Sequence, residues 1–105
     1  MHTIPAPRGI RRAAWEQLSR FQQEVFHTTC RIPKGEVRSY QWVAAQIGRS
    51  RAARAVGNAL HRNPFAPTVP CHRVVRANGA LGGYAPGQSR KRSLLRREGW
   101  SPKRR

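Results

Sequence analysis

Acidic residues are scarce in this sequence: 4 aspartates and glutamates stand against 21 lysines and arginines in 105 residues. The formal net charge is therefore +17. A field of this strength attracts polyanions over a long range, which makes nucleic acid the leading partner. Two alternatives stay open, namely a basic surface that only keeps the protein soluble and a surface that binds membranes.

Long apolar runs and dense cysteine patterns are also missing. No run is long enough to span a bilayer, and residues 1–5 show no signal-peptide pattern, so we expect no membrane partner and a location in the bacterial cytoplasm, at the nucleoid. The two cysteines, Cys30 and Cys71, lie far apart, and we expect both to be thiols, with Cys30 a buried packing residue. The paired spacings of zinc ligands are absent, so we expect no metal and no cofactor.

The length fits one domain with a single modest core, and we expect a monomer. Residues 1–10 contain two prolines and no periodic pattern, which predicts a flexible N-terminal arm. The folded domain is expected over residues 11–100, followed by a short basic tail over residues 101–105. The tail could add phosphate contacts, although a solvated terminus is the simpler state.

Helical periodicity and capping residues predict three helices in the first two thirds of the chain. The first is amphipathic, runs from about Ala13 to a point before Ile32, and has an apolar stripe of Trp15, Leu18, Phe21, Val25 and Phe26. The second covers residues 40–47 with Ser39 as its cap, and Gly48 ends it. The third covers residues 51–61 with Ser50 as its cap. Two short helices joined by a tight glycine turn indicate a helix-turn-helix.

Turn residues organise the last third. Asn63-Pro64 ends the third helix, because proline lacks the backbone donor that a helix needs. Val74-Val75, the Asn78-Gly79 turn and Leu81 predict a small β-hairpin, and a last helix runs from residue 87 through Glu98. The predicted fold class is therefore mainly α: a winged-helix-like helix-turn-helix domain with a small β-hairpin.

The pair Cys71-His72 is the strongest chemical signal in the chain. A cysteine beside a histidine in a cationic neighbourhood is a candidate thiolate nucleophile. The alternative for an isolated pair of this kind is a buried cysteine that only packs as a small hydrophobe.

The pair belongs to an ordered set of motifs that covers about two thirds of the chain. In order they are GEVRSY from Gly35, AARAVG from Ala52, Asn63-Pro64, PCHRVV from Pro70, LGGY from Leu81 and LLRREG from Leu94. In order and spacing, this set resembles the C-terminal, DNA-binding domain of the O6-alkylguanine-DNA alkyltransferases. These are suicide proteins that move an alkyl group from guanine onto a cysteine.

The resemblance implies a catalytic set made of Cys71, His72, Glu98, Tyr84 and Asn63. Cys71 would be the nucleophile, and His72, acting through a water and oriented by Glu98, would take its proton. Tyr84 would donate to the departing guanine, and Asn63 would hold the turn before the nucleophile. From the residues alone, Glu98 could equally pair with a surface cation.

The resemblance also implies that the third helix docks in the DNA minor groove, where small side chains let it approach closely; the partner is double-stranded DNA containing O6-alkylguanine. Arg54 would enter the stack in place of the flipped nucleotide, and Tyr40 would crowd its phosphate. The remaining predicted DNA contacts are Ser39, Gln41, Arg49, Ala52, Ala53, Ala55 and Gly57. The predicted base pocket consists of Leu60, Val74, Leu81, Gly82, Gly83 and Ala85. Arg54 as a phosphate contact and Tyr40 as helix-end packing are the alternatives.

One departure from the family is the lack of its N-terminal domain, so we expect a stand-alone form, similar in size to the alkyltransferase-like proteins. Those proteins bind alkylated DNA without repairing it, commonly have tryptophan in place of the cysteine, and pass the lesion to nucleotide excision repair. Ala85 stands where many members have a hydroxyl or another residue. Three functions remain: a suicide repair transferase, a lesion sensor that recruits nucleotide excision repair proteins, and a generic basic DNA-binding module. Covalent change separates the first from the others.

Overall fold

The computed structural model describes residues 4–82, 84 and 87–100. These residues form five α-helices, one turn of 3-10 helix and two short strands. In chain order the elements are α1 (Arg12–Glu16), α2 (Arg20–Cys30), β1 (Arg38–Ser39), α3 (Tyr40–Gln46), α4 (Ala53–His61), the 3-10 turn (Cys71–Arg73), β2 (Val74–Val75) and α5 (Gln88–Arg97). The predictions for Gly83, Ala85, the first three residues of the arm and the tail over 101–105 fall outside the described residues. No helix in the described part of the chain is both long and apolar enough to cross a bilayer.

The single first helix predicted from periodicity is wrong, because two helices occupy that stretch. The chain leaves α1 after Glu16 and restarts at Ser19, whose Oγ accepts from the Gln22 amide at 3.1 Å. The Gln22 side chain accepts in return from the Ser19 amide at 2.9 Å. This capping box satisfies two amide groups at a new helix start, which the apolar spacing alone does not reveal.

An aromatic cluster of Trp15, Phe26 and Phe65 forms one part of the core. Trp15 lies 6.5 Å from Phe26 and 6.4 Å from Phe65, measured between ring centroids, and Phe26 meets Phe65 edge to face at 6.2 Å. The Trp15 indole also donates to the Ile4 carbonyl at 2.7 Å. Residues 4–10 of the predicted arm are thus attached to the core at one point at least.

The helix-turn-helix prediction is confirmed, with one cap corrected. Ser39 caps α3 by accepting from the Trp42 amide at 3.0 Å, and Gly48 has a φ of +76° in the turn that follows. Ser50, however, does not cap α4. The chain makes one further turn, in which the Ala52 amide donates to the Arg49 carbonyl, and α4 begins at Ala53 without a side-chain cap.

The two strands correct the hairpin prediction. The Asn78-Gly79 turn is present, with Gly79 at a φ of +90°, but β2 pairs with β1 in parallel instead of with the residues after the turn. Arg38 pairs with Val74 and Ser39 pairs with Val75. Both valines are buried, so β2 needs a partner inside the fold, and the segment before α3 supplies it. This pairing fixes the start of the helix-turn-helix beside the turn that carries Cys71.

The last helix agrees with the prediction. Gly87 precedes α5 with a φ of +105°, and Gly99 follows it with a φ of +93°. Leu95 is fully buried, and α5 packs against the 3-10 turn. The domain is therefore mainly helical with one small two-stranded sheet, and α5 packs on the turn that carries Cys71.

Candidate active site and nucleic-acid interface

Cys71 begins the 3-10 turn and opens onto the main cavity among the described residues. Its side chain is 7% exposed, and the cavity has a volume of about 750 Å³. The walls come from the helix-turn-helix on one side and from the segment after β2 on the other. The lining residues are Tyr40, Gln41, Ala53, Arg54, Gly57, Asn58, Leu60, His61, Cys71, Arg76, Ala77, Asn78 and Tyr84. A single-ring or double-ring base fits a space of this size.

Opposing influences act on the Cys71 thiol. Burial raises the pKa of Cys71, while a hydrogen bond with the Asn63 side chain and the charge of Lys91 lower it. Burial has the larger effect, so the sulfur carries its proton at rest. A nearby base and a nearby cation are therefore both needed to form the thiolate.

Asn63 holds the segment between α4 and the Cys71 turn. Its Nδ2 donates to the Val69 carbonyl at 2.9 Å, and its Oδ1 accepts from the Phe65 amide at 2.8 Å. Both bonds lie within the loop that delivers the chain to Pro70 and Cys71. The structure thus places Asn63 where the sequence predicted a turn-holding residue.

His72, Glu98 and Arg73 form one hydrogen-bonded group behind Cys71. His72 Nε2 lies 3.0 Å from Glu98 Oε2, and Arg73 donates to both oxygens of the same carboxylate at 2.9 and 2.8 Å. The Arg73 bonds lower the pKa of Glu98 to about 2, whereas burial lowers the pKa of His72. A neutral imidazole beside an ionised carboxylate donates from Nε2, which leaves Nδ1 as the acceptor.

The second ring nitrogen of His72 is Nδ1, on the side of the ring away from Glu98. Nδ1 is buried and has no hydrogen-bond partner within the described residues, whereas Nε2 is engaged by Glu98. Buried polar atoms without a partner are rare and often belong to sites of chemistry. The unprotonated Nδ1 of a neutral His72 is therefore available as a base.

Tyr84 packs against the His72 ring. Its ring meets the His72 ring edge-on with centroids 6.3 Å apart, and the residue is buried at the cavity wall. Burial raises the pKa of Tyr84, so the phenol keeps its proton and is a hydrogen-bond donor toward the cavity.

The sequence did not predict a role for Lys91, a residue of α5 whose side chain is fully buried. Its Nζ donates to the carbonyls of Val74 and Leu81, which flank the chain segment after Cys71. Burial lowers the pKa of Lys91 to about 8. A signal was present in the sequence, because Lys91 precedes Leu94 and Leu95 by three and four residues and so lies on their side of the helix. This signal is hard to recognise because many neighbouring residues in the sequence are also basic.

The predicted DNA-binding residues occupy one side of the helix-turn-helix. Arg54 and Ala55 are exposed on α4, while Ala53 and Gly57 line the cavity. A Cβ at Gly57 would lie 3.8 Å from the Tyr40 ring, which is ordinary van der Waals contact, so the space between α4 and α3 would admit alanine here. Ser39 and Ala52 sit at the starts of α3 and α4, Gln41 lines the cavity, and the Arg49 guanidinium lies 5.9 Å above the Phe21 ring. Contacts with DNA stay a prediction for all of them.

The predicted base pocket is brought together only in part. Leu60 lines the cavity, whereas Val74 is fully buried behind it and Leu81 bonds to Lys91 through its carbonyl. Gly82 has a φ of +76°, and a Cβ there would approach Tyr40 Oη to 2.8 Å. Glycine is therefore required at this position by backbone angle and by space. The sequence analysis missed five other lining residues: Asn58, His61, Arg76, Ala77 and Asn78.

Groups of three or more metal-ligating side chains do not occur in the described residues. Both cysteines are free thiols. Cys30 is half-buried at the end of α2, where burial raises its pKa, and unlike Cys71 it does not line the cavity.

The Glu98 geometry predicts a specific loss of stability in acid. The folded-state pKa of about 2 lies below the ordinary value of 4.5, so the stabilisation is present above pH 4.5 and is lost as the pH falls toward 2. We expect it to amount to about 2 kcal/mol, allowing for partial solvent screening. Urea unfolding of Glu98→Gln and of the unchanged chain between pH 2 and 6 measures it. Parallel stability curves for the two proteins across this range would contradict the prediction.

Comparison with known proteins gives consistent matches over this region. The family model for the DNA-binding domain of 6-O-methylguanine DNA methyltransferase matches residues 20–100. A methylated-DNA--protein-cysteine methyltransferase of Salmonella typhimurium is 54% identical over 80 residues, which are 76% of this chain and 47% of the relative. The chain thus spans about half the length of this relative.

Two solved structures show the same fold. The crystal structure of Mycobacterium tuberculosis OGT in complex with DNA aligns with a TM-score of 0.76 at 53% identity, over 77% of this chain and 50% of that one. S. pombe Atl1, in complex with damaged DNA containing O6-carboxymethylguanine, aligns with a TM-score of 0.68 at 28% identity, over 86% of this chain and 80% of that one.

Proposed function

Since the chain belongs to the 6-O-methylguanine DNA methyltransferase family through its DNA-binding domain, we propose that it removes the alkyl group from O6-alkylguanine in double-stranded DNA. The acceptor is Cys71, and the transfer is irreversible. The observation that carries the proposal is the placement of this cysteine at a base-sized cavity, backed by the pair His72 and Glu98. A conventional DNA-binding module has no use for a nucleophile with its own base.

The reaction begins with the Cys71 proton, which passes through a water to His72 Nδ1. The thiolate attacks the alkyl carbon, a carbon–sulfur bond forms, and the bond between that carbon and guanine O6 breaks. The departing guanine takes a proton from the Tyr84 phenol, and the proton that His72 received from Cys71 returns through water to the tyrosinate, so atoms and charge balance. The thioether product has no good leaving group, and each molecule therefore acts once.

Docking on DNA follows from the helix-turn-helix. The small residues of α4 approach the minor groove, Tyr40 crowds the target phosphate, and Arg54 fills the stack that the flipped nucleotide vacates. The pairing of β1 with β2 joins the start of α3 directly to the Cys71 turn. Binding of α3 and α4 to DNA thereby places the cavity at the extruded base. With its charge of +17, the protein is proposed to work on chromosomal DNA in the bacterial cytoplasm.

A second function is favoured by the similarity to S. pombe Atl1, whose crystal structure is a complex with damaged DNA containing O6-carboxymethylguanine. In that case the chain senses alkylated DNA and recruits nucleotide excision repair proteins without covalent change. The presence of Cys71 together with His72, Glu98 and Tyr84 supports transfer over sensing.

Intact-protein mass spectrometry after mixing with a duplex containing O6-methylguanine tests the proposal. Transfer predicts a stoichiometric gain of one methyl group, which peptide mapping assigns to Cys71. The other cysteine, Cys30, is an internal control in the same molecule. Tight binding of the lesion without a mass gain would establish the sensor function instead, and a gain on Cys30 would overturn the assignment of the nucleophile.

The Arg54 position predicts a difference between two substrates. Arg54→Ala removes the side chain that fills the vacated stack, so we expect transfer from duplex DNA to slow about thirtyfold, near the cost of an unstacked base step. Transfer from free O6-benzylguanine, where no nucleotide is flipped, should change less than about threefold. Single-turnover rates on both substrates measure the effect, with the exposed Arg51→Ala as a matched control. Equal losses on both substrates would mean that Arg54 is only structural.

A further inference from the structure

Arg73 makes three hydrogen bonds through its guanidinium. Its guanidinium donates from Nε and Nη2 to the two oxygens of Glu98, and from Nη1 to the Ile32 carbonyl at 2.9 Å. Its side chain is 14% exposed. A bidentate pair with a third, backbone anchor holds the carboxylate in one orientation.

The same carboxylate faces His72, the base of the proposed function. Glu98 Oε2 is shared between His72 Nε2 at 3.0 Å and Arg73 Nη2 at 2.8 Å. Arg73 follows His72 directly in the chain, so its cation lies close to the imidazole as well as to the carboxylate. An isolated histidine–carboxylate pair would favour the imidazolium, which cannot accept a proton.

We propose that Arg73 is a positioning residue that orients Glu98 toward His72 Nε2 and, by its own charge, keeps the His72 imidazole neutral with Nδ1 ready to accept the Cys71 proton. The effect of Arg73 on proton transfer from Cys71 rests on the proposed function. The ionisation and the tautomer of His72 can be measured whether or not that function holds.

The charged and titratable groups around His72 support this balance. Arg73 acts on it from its own turn, Lys91 from α5 and Glu98 from the position just after α5. The Tyr84 ring meets it edge-on from the loop before α5. Cys30, at the end of α2, lies beside Arg73. Glu98 raises the pKa of His72, whereas burial, Arg73 and Lys91 lower it. Arg73 is the cation in hydrogen-bond contact with Glu98, so it offsets the carboxylate at the point where His72 meets it.

Removing the charge therefore has a predictable sign. In Arg73→Met, one cause that lowers the pKa of His72 disappears, and Glu98 acts on the imidazole alone. The imidazolium becomes more populated in mildly acidic solution, and the base is lost there. Around neutral pH and below, proton transfer from Cys71 slows, whereas at alkaline pH the imidazole is neutral in both proteins.

The experiment is a pH titration of the histidine ring nitrogens by NMR on the full chain labelled with nitrogen-15. Spectra of His72→Gln assign the His72 signals. In the unchanged chain we expect His72 to stay in the Nε2–H tautomer as the pH is lowered to 6. In Arg73→Met the protonated fraction of His72 at pH 6 should rise roughly threefold or more. Arg96→Met, which removes an equal charge from an exposed site on α5, should leave it unchanged.

Arg73→Lys separates charge from orientation, because it keeps the cation but offers a single donor geometry. We expect its His72 protonation to match the unchanged chain, with a mixture of both neutral tautomers. Arg73→Gln replaces Arg73→Met if circular dichroism shows that the methionine variant does not fold. Identical titrations of His72 in the unchanged chain and in a folded, charge-free variant would overturn the inference, as would an equal effect of Arg96→Met.

A second readout connects the inference to the chemistry. The ratio of the transfer rate at pH 6 to that at pH 8, measured with free O6-benzylguanine, should fall roughly threefold or more in Arg73→Met. A merely structural role would lower both rates together and leave the ratio unchanged. Failure of alkyl transfer in the unchanged chain would overturn the proposed function, while the NMR titration would still decide the role of Arg73.

Discussion

Cys71→Ser should abolish alkyl transfer completely while leaving the binding of alkylated DNA intact. The substitution replaces one sulfur by oxygen in a buried side chain at the cavity wall, so the packing of the 3-10 turn is disturbed very little. A serine hydroxyl is far less acidic and less nucleophilic than a thiol, and His72 cannot deprotonate it to a useful extent. Transfer of radiolabelled methyl from duplex DNA measures the loss, and gel-shift titration measures the binding.

Cys30→Ser is the matched control for this prediction, since Cys30 is the other free thiol and lies half-buried at the end of α2. Its transfer rate should remain within about twofold of the unchanged chain. Residual methylation of Cys71→Ser at the normal rate would show that another side chain is the acceptor. Loss of transfer in both serine variants would point to a general disturbance of the fold.

Lys91→Met should slow alkyl transfer at least about a hundredfold, on free base and on duplex alike. Two effects combine. The ammonium lowers the pKa of Cys71, so without it less thiolate forms. The carbonyls of Val74 and Leu81 also lose a shared donor, so the bond from the Gln88 side chain to the Gly82 carbonyl is left to tie this segment to α5. Small displacements of a reacting group are sufficient for losses of this size.

The pH dependence of iodoacetamide alkylation at Cys71 gives an independent readout. The reaction should require a higher pH in Lys91→Met than in the unchanged chain, because the pKa of Cys71 rises when the cation is removed. Arg92→Met, which removes an exposed charge from the next residue of α5, should affect neither measurement. An alkylation profile that does not move in folded Lys91→Met would exclude an electrostatic role for this lysine.

Lys91 also has a consequence for stability in alkaline solution. Its pKa of about 8 in the folded protein lies below the ordinary value of 10.5, so burial of the ammonium opposes folding below pH 8. As the pH rises from 8 to 10.5, this penalty disappears and the unchanged chain gains stability relative to Lys91→Met. A buried cation retained at this cost is consistent with a functional requirement at Cys71.

The sequence by itself determined the elements whose signals are local. The Ser39 cap of α3, the turn at Gly48 after it, the boundaries of α5 and the helix-turn-helix all follow from capping residues and glycines, which act through neighbouring backbone groups. The proposals of a nucleic-acid partner and of thiol chemistry also begin from local signals, because a charge of +17 and the pair Cys71-His72 need no knowledge of distant contacts.

Only the tertiary structure decided what depends on burial and on partners far apart in the chain. The Val74–Val75 strand looked like half of a hairpin, but both valines are buried and pair with Arg38–Ser39, more than thirty residues earlier. Arg73 and Lys91 read as two of 21 basic residues. Packing places Arg73 against Glu98 and Lys91 against the Val74 carbonyl. The loss of water at these places strengthens the effect of both charges on their neighbours. A charge exerts its strongest influence where water is excluded, and the exclusion of water is a property of the assembled fold.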